Sequence, residues 1–162
     1  MSKHKFMMVM ALMLGVGGTA LLEAQHIKSK SALTADDYMQ IQQLYARYNV
    51  AIDSGDGEGW AATFVPDGTF NTFTGHDALV GFIKTWRESR NGANRRHWNT
   101  NLVLTPTAEG VSGSVYLFLM DTSVTPPVIA SASTYADQLV RTPQGWRFKK
   151  RTTTPVAPAP KQ

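Results

Sequence analysis

Few side chains in this 162-residue chain can do acid–base or metal chemistry. There is no cysteine, which removes disulfides, thiolate nucleophiles, iron–sulfur clusters and cysteine-ligated zinc. Of the four histidines, His4 and His26 precede the region able to fold, leaving His76 and His97 as usable imidazoles. Two imidazoles argue against a dedicated transition-metal site. His76 stands in Gly75-His76-Asp77 at the start of a helical stretch, where capping or solvent contact is the expected role. His97 is the candidate general base, because an imidazole titrates close to neutrality. Read alone, between Arg96 and Trp98, it fits a structural or surface position as well.

The polar residues around these imidazoles carry two readings each. Asn99 and Asn101 share strand parity with His97 provided no bulge interrupts, so either can orient a polar ligand group or satisfy backbone groups near a sheet edge. Tyr48 lies on an apolar helical face, where its hydroxyl could donate to a carbonyl or developing enolate, or simply pack in the core. Asp53 falls about 100° from Ile52 around the same helix, toward Asn49, which permits a pocket edge or a role in the turn that follows. Tyr135 shares parity with Ser131, Ser133 and Asp137 and faces an interior or an interface. Arg151, at the end of the last strand, is suited to a ligand carboxylate or to a salt bridge. No phosphate-binding glycine loop, dinucleotide fingerprint or Gly-x-Ser-x-Gly elbow occurs, so no cofactor and no serine hydrolysis are expected.

The elements that must position these residues follow from periodicity. Thr34 with Asp37 three residues on forms an approximate capping box, and Ile41, Tyr45, Tyr48 and Ile52 recur at helical spacing. The spacing predicts a helix of about twenty residues, ending at Ser54-Gly55-Asp56-Gly57. A short helix over 58–64 places Trp60 and Phe64 on one face. Pro66-Asp67-Gly68 breaks the chain before an edge strand over 69–73, and a third helix covers 78–86. Residues 87–95 read as a polar loop. The period then changes to that of strands, over 96–105, 111–121, 128–141 and 146–152. Helices followed by a mostly antiparallel sheet make an α+β domain. Val115, Leu117 and Leu119 alternate with Tyr116, Phe118 and Met120, so both faces of one strand are apolar, and a homo-oligomer, dimer or trimer, is expected.

The ends read differently. Lys3, His4 and Lys5 before the apolar run 6–16 form a signal-peptide pattern over 1–24, with cleavage after Ala20 or Ala24. Residues 25–32 are a linker, and 154–162 a Pro/Ala-rich tail. The expected compartment is periplasmic or secreted, with no membrane partner after cleavage. Removing Lys3, Lys5 and Glu23 with the leader lowers the formal charge from +4 to +3. The remaining cations form no continuous stripe, so nucleic acid is not an expected partner.

The stretch 33–153 resembles the SnoaL-like family of the nuclear-transport-factor-2-like superfamily. The likeness is carried by Ile41 to Asp53, Trp60 to Phe73, Arg96-His97-Trp98-Asn99-Thr100-Asn101, Tyr135-Ala136-Asp137 and the segment 145–151. It implies a cone-shaped, curved, mostly antiparallel sheet closed by the N-terminal helices, an α+β barrel. Within the superfamily the chain is similar to the branch of scytalone dehydratase and lindane dehydrochlorinase. In that branch an aspartate near the end of the first helix orients a histidine that acts as general base. Asp53 and His97 match that pair; Tyr48 and Tyr135 match substrate-fixing positions, and a second histidine of the dehydratase type is missing. The resemblance implies a cofactor-independent lyase or isomerase acting on a small apolar or ring-bearing molecule. The alternative is a binding or assembly domain that uses the same pocket without chemistry.

Overall fold

The computed structural model describes residues 32–89 and 92–156. The segments read as leader, as linker up to residue 31 and as tail beyond Val156 lie outside the described residues. The chain divides between Ala32 and Leu33 into two units, and everything below concerns the second, Leu33–Gln162.

Helix α1 (Ala35–Ser54) starts where Thr34 accepts a hydrogen bond from the Asp37 N–H (3.1 Å) and the Asp37 carboxylate accepts from the Thr34 N–H (3.0 Å). It stops at Gly55, whose φ of 77° lets its N–H turn back to the carbonyl of Ile52. One face of α1 buries Ile41, Leu44, Tyr45, Tyr48 and Ile52. The short α2 (Gly57–Ala61) brings Trp60 fully into the core. Then come β1 (Phe64–Phe70), β2 (Phe73–Thr74), α3 (His76–Ser89) and a 3-10 turn at Gly92–Asn94. The chain closes with β3 (Arg95–Pro106), β4 (Val111–Asp121), β5 (Val128–Thr142) and β6 (Gly145–Pro155). Helix α3 therefore takes three residues that read as loop, 87–89.

One mixed sheet holds all six strands in the order β2-β1-β6-β5-β4-β3. Every pairing is antiparallel except β1 with β6. The α+β class stands, but the expected cone-shaped barrel does not. The order ends at β2 on one side and β3 on the other, no pairing joins those edges, and the sheet is neither closed nor strongly curled. The physical reason lies at the edges: β2 has only two residues and cannot pair along the twelve of β3, so helices cover the inner face instead. The strand expected at 69–73 is also displaced. β1 lies between β2 and β6, and the edge is Phe73–Thr74. Pro66-Asp67-Gly68 interrupts pairing without ending the strand: β1 advances from Phe64 to Thr69 while β6 advances only from Phe148 to Lys150. Gly68 is required there, because a Cβ would lie 2.7 Å from that of Phe64.

The core is pinned by a buried ion pair. Arg151 on β6 donates through Nε and Nη2 to the two Asp137 oxygens on β5, each at 2.7 Å, and both side chains are fully buried. Tyr45 donates its hydroxyl to the same carboxylate. The guanidinium carbon lies 4.1 Å from the ring centroids of Tyr135 and Phe148 and 4.2 Å from that of Tyr48. Burial opposes the Arg151 charge, but the facing carboxylate outweighs it and holds the guanidinium ionised above its ordinary range. Arg151→Met should strand a buried carboxylate and cost about 3–5 kcal/mol in urea unfolding. Adding Asp137→Leu should recover much of that loss, because a matched apolar pair leaves no charge uncompensated.

Candidate functional site

Between α3 and the inner face of the sheet lies a cavity of about 1090 Å³. Its walls are mainly apolar and aromatic, with Phe70, Phe82, Trp86 and Leu117 among them. His97 lines it, as the third residue of β3.

Asp53, on the last turn of α1, grips His97 twice. Its Oδ1 lies 2.6 Å from Nδ1 of the ring, and its two oxygens accept the His97 backbone N–H at 3.2 and 3.1 Å. The side chains of His97 and Asp53 are 4% and 15% exposed respectively. A carboxylate facing Nδ1 accepts a hydrogen bond from the N–H on that nitrogen and leaves the Nε2 lone pair as the basic position. One helical turn earlier, Asn49 donates to the His97 carbonyl (3.3 Å) and to Oδ1 of Asn99. The i, i+4 pair Asn49 and Asp53 thus holds the strand and the ring together. Trp86 of α3 closes the other side, its ring centre 5.4 Å from that of His97.

The remaining sequence-derived candidates divide by depth. Tyr135 lines the cavity at 2% exposure, and burial keeps its hydroxyl protonated well above the ordinary range. Tyr48 sits behind it, ring centres 6.0 Å apart, fully buried and outside the cavity lining. Its hydroxyl is likewise raised by burial. Arg151 lies behind both tyrosines in its pair with Asp137 and is not among the lining residues. Asn99 meets Asn49, whereas Asn101 is exposed at φ 59°, where the β3–β4 register shifts between Thr100 and Val103. The bulge breaks the strand parity that would have aligned Asn101 with His97. His76 is exposed between Glu58 (3.0 Å) and Asp77 (3.1 Å) and is not among the residues lining the cavity.

Four residues of the site were not singled out from sequence. Asn49 had a signal, one turn before Asp53 on the same helix flank. Arg95 shares parity with His97, lines the cavity and pairs with Asp121 at 2.9 Å. Ser133 lines the cavity at 8% exposure, two residues before Tyr135 on β5. Trp86 read only as core. Among the described residues no three His, Cys, Asp or Glu side chains gather to hold a metal ion, and no helix is long and apolar enough to cross a membrane.

The arrangement is an imidazole whose Nδ1 faces a carboxylate at the base of a largely apolar cavity, with hydroxyls of Ser133 and Tyr135 on β5, across β4 from it. It can accept a proton and stabilise the resulting imidazolium. Neutral His97 should carry its proton on Nδ1, read from nitrogen chemical shifts of the labelled ring. Asp53→Ala should mix the tautomers; an unchanged Nδ1–H form would show that the carboxylate does not set it.

Solved structures with the same fold are numerous. Aln2 from a Streptomyces species is 27% identical, with 76% of this chain and 93% of that one covered and a TM-score of 0.69. A protein from Catenulispora acidiphila, solved in complex with S-DNPA, is 28% identical over 74% and 93% of the two chains, with a TM-score of 0.66. An NTF2-like protein with a cystatin-like fold from Novosphingobium aromaticivorans, 21% identical over 87% and 91%, has a TM-score of 0.69 and shares the fold. No curated protein matches the chain. The model of the SnoaL-like domain matches residues 33–152, from the residue before the α1 cap to Thr152 within β6, and on that match the chain belongs to the SnoaL-like family.

Proposed function

We propose that this protein is a cofactor-independent lyase or isomerase that removes a carbon-bound proton from a small, largely apolar, ring-bearing molecule. The observation that carries the reading is the Asp53–His97 pair at the base of an apolar cavity, with Nδ1 committed to the carboxylate. The similarity of that pair to the base of scytalone dehydratase and lindane dehydrochlorinase supports it. The S-DNPA complex of the Catenulispora acidiphila protein supports a small-molecule occupant.

In this mechanism Nε2 of His97 takes the proton, and the C–H electron pair moves toward an adjacent carbonyl or into a new double bond. In an elimination the leaving group departs with its bonding pair. In an isomerisation the imidazolium returns the proton to a different carbon. Asp53 holds the imidazolium, and the Tyr135 or Ser133 hydroxyl meets the oxygen that gains charge. The second reading, binding without chemistry, is favoured by one specific observation: Tyr48, the expected polarising hydroxyl, lies outside the cavity lining.

Exchange of the acidic C–H of a bicyclic ring ketone into deuterated water separates the two. Wild type should catalyse exchange, and His97→Asn should lose about 10²–10⁴-fold of the rate while still binding the ketone. Wild-type binding with no catalysed exchange would leave the binding domain as the answer.

The reading includes self-association through the outer sheet face. There Trp98 is 60% exposed and Tyr116 49%, with Phe118 between them across the β3–β4 pairing and the uncharged Ala132 and Thr134 beyond. The patch itself carries no charge and can meet itself in a symmetric dimer, with Arg96 on the same face at its rim. Tyr116→Glu should convert the oligomer to monomer in sedimentation velocity, and a monomeric wild type would discard this interface.

A further inference from the structure

The cavity has a buried base and an open rim. His97, Ser133, Tyr135, Leu117 and Phe70 line it at 8% exposure or less. Ala78, Gly81 and Thr85 of α3 line it and are exposed, as are Ala130, Ser131 and Pro155 on the strands opposite. The mouth therefore runs along α3 from Ala78 to Thr85, and Gly81 lies more than one helical turn before Trp86, whose ring faces His97.

Gly81 stands inside α3, where glycine is unfavourable relative to alanine. Neither of the usual reasons for a glycine applies. Its backbone is not among the positive-φ positions, and a Cβ placed on it would meet no atom within 4 Å. Other glycines of the fold are crowded: a Cβ on Gly92 would lie 2.6 Å from the Trp86 ring, and one on Gly113 2.5 Å from the Tyr45 hydroxyl. What the missing side chain at Gly81 does provide is open space on the cavity wall. Beneath the rim, Ser133 is buried against the cavity at 8% exposure and offers a polar contact to what enters.

We infer that Gly81 is the specificity-determining position of the cavity: it keeps the mouth wide enough for the far ring of a flat, fused-ring ligand whose reacting end lies at His97. The volume of about 1090 Å³ lies just above the roughly 300–1,000 Å³ typical of pockets for drug-sized ligands, which suits fused rings better than one. A branched side chain at Gly81 narrows the mouth from α3 while leaving His97, Asp53 and the cavity base untouched. The inference rests on the cavity being the ligand site, and it concerns ligand size rather than proton transfer.

The test is equilibrium binding of phenol, naphthol and hydroxypyrene to the wild type and to Gly81→Leu, followed by tryptophan quenching and probe fluorescence. Gly81→Leu should weaken hydroxypyrene by about tenfold or more and phenol by no more than about twofold, with naphthol between. Gly81→Ala should raise the melting temperature and keep hydroxypyrene binding. Lys84→Leu, exposed on the same helix and absent from the cavity lining, should change no affinity. Ala78→Leu, on the same rim, should reproduce the size-graded loss and serves if Gly81→Leu does not fold. Equal loss for all three probes, or no loss, overturns the role of Gly81 while leaving the cavity as a ligand site. A wild type that binds none of them overturns both.

Discussion

The buried pair of Arg151 and Asp137 organises this molecule. The two residues face each other directly across the β5–β6 ladder, so their bidentate contact fixes that register from inside the protein. Two buried charges are tolerated because each is answered: the carboxylate by the guanidinium and the Tyr45 hydroxyl, the guanidinium by the carboxylate and the surrounding ring faces. Tyr45 and Tyr48 both belong to α1, so the same cluster seats that helix across the sheet.

The site depends on that seat. Once α1 is held at Tyr45 and Tyr48, its next turn carries Asn49 and Asp53 over the start of β3. Together they take the backbone N–H, the carbonyl and the ring Nδ1 of His97. The imidazole is thereby fixed by a helix on one side and by Trp86 of α3 on the other. Chemistry and stability are thus separated in space. The charged cluster lies behind Tyr135, whereas the cavity is lined mainly by apolar and aromatic side chains, with the hydroxyls of Ser131 and Ser133, Arg95 and one imidazole among its polar groups.

Much of this was legible from residue order. The cap at Thr34, the stop at Gly55 and the four long strands follow from local rules, because capping chemistry, glycine and alternation act over a few residues. The closed cone was not legible and is not present. Whether a sheet closes depends on what its two edge strands can pair with, and β2, two residues long, was hidden in a stretch that read as one edge strand. Asn101 is a second case. The β3–β4 register shift that turns it away from His97 is a property of the pairing, since strand parity counts residues and cannot see a bulge formed by the partner. Arg151 carried two readings in the sequence, and its depth relative to Tyr135 separates it from the cavity lining.

By itself, then, the sequence determined the residue types available for chemistry, the α+β class, the bounds of the two long helices and four long strands to within a few residues, and the pairing of Asp53 with His97 through family likeness. The tertiary structure alone decided that the sheet stays open, that Tyr48 and Arg151 stand behind the cavity while Tyr135 and Ser133 line it, and that Asn49 completes the grip on His97. The division has one physical cause. Capping, turns and periodicity are local and leave their mark in adjacent residues, whereas burial depth, strand register and edge pairing are set by contacts between segments far apart in the chain, such as Asn49 with Asn99 and Tyr45 with Asp137.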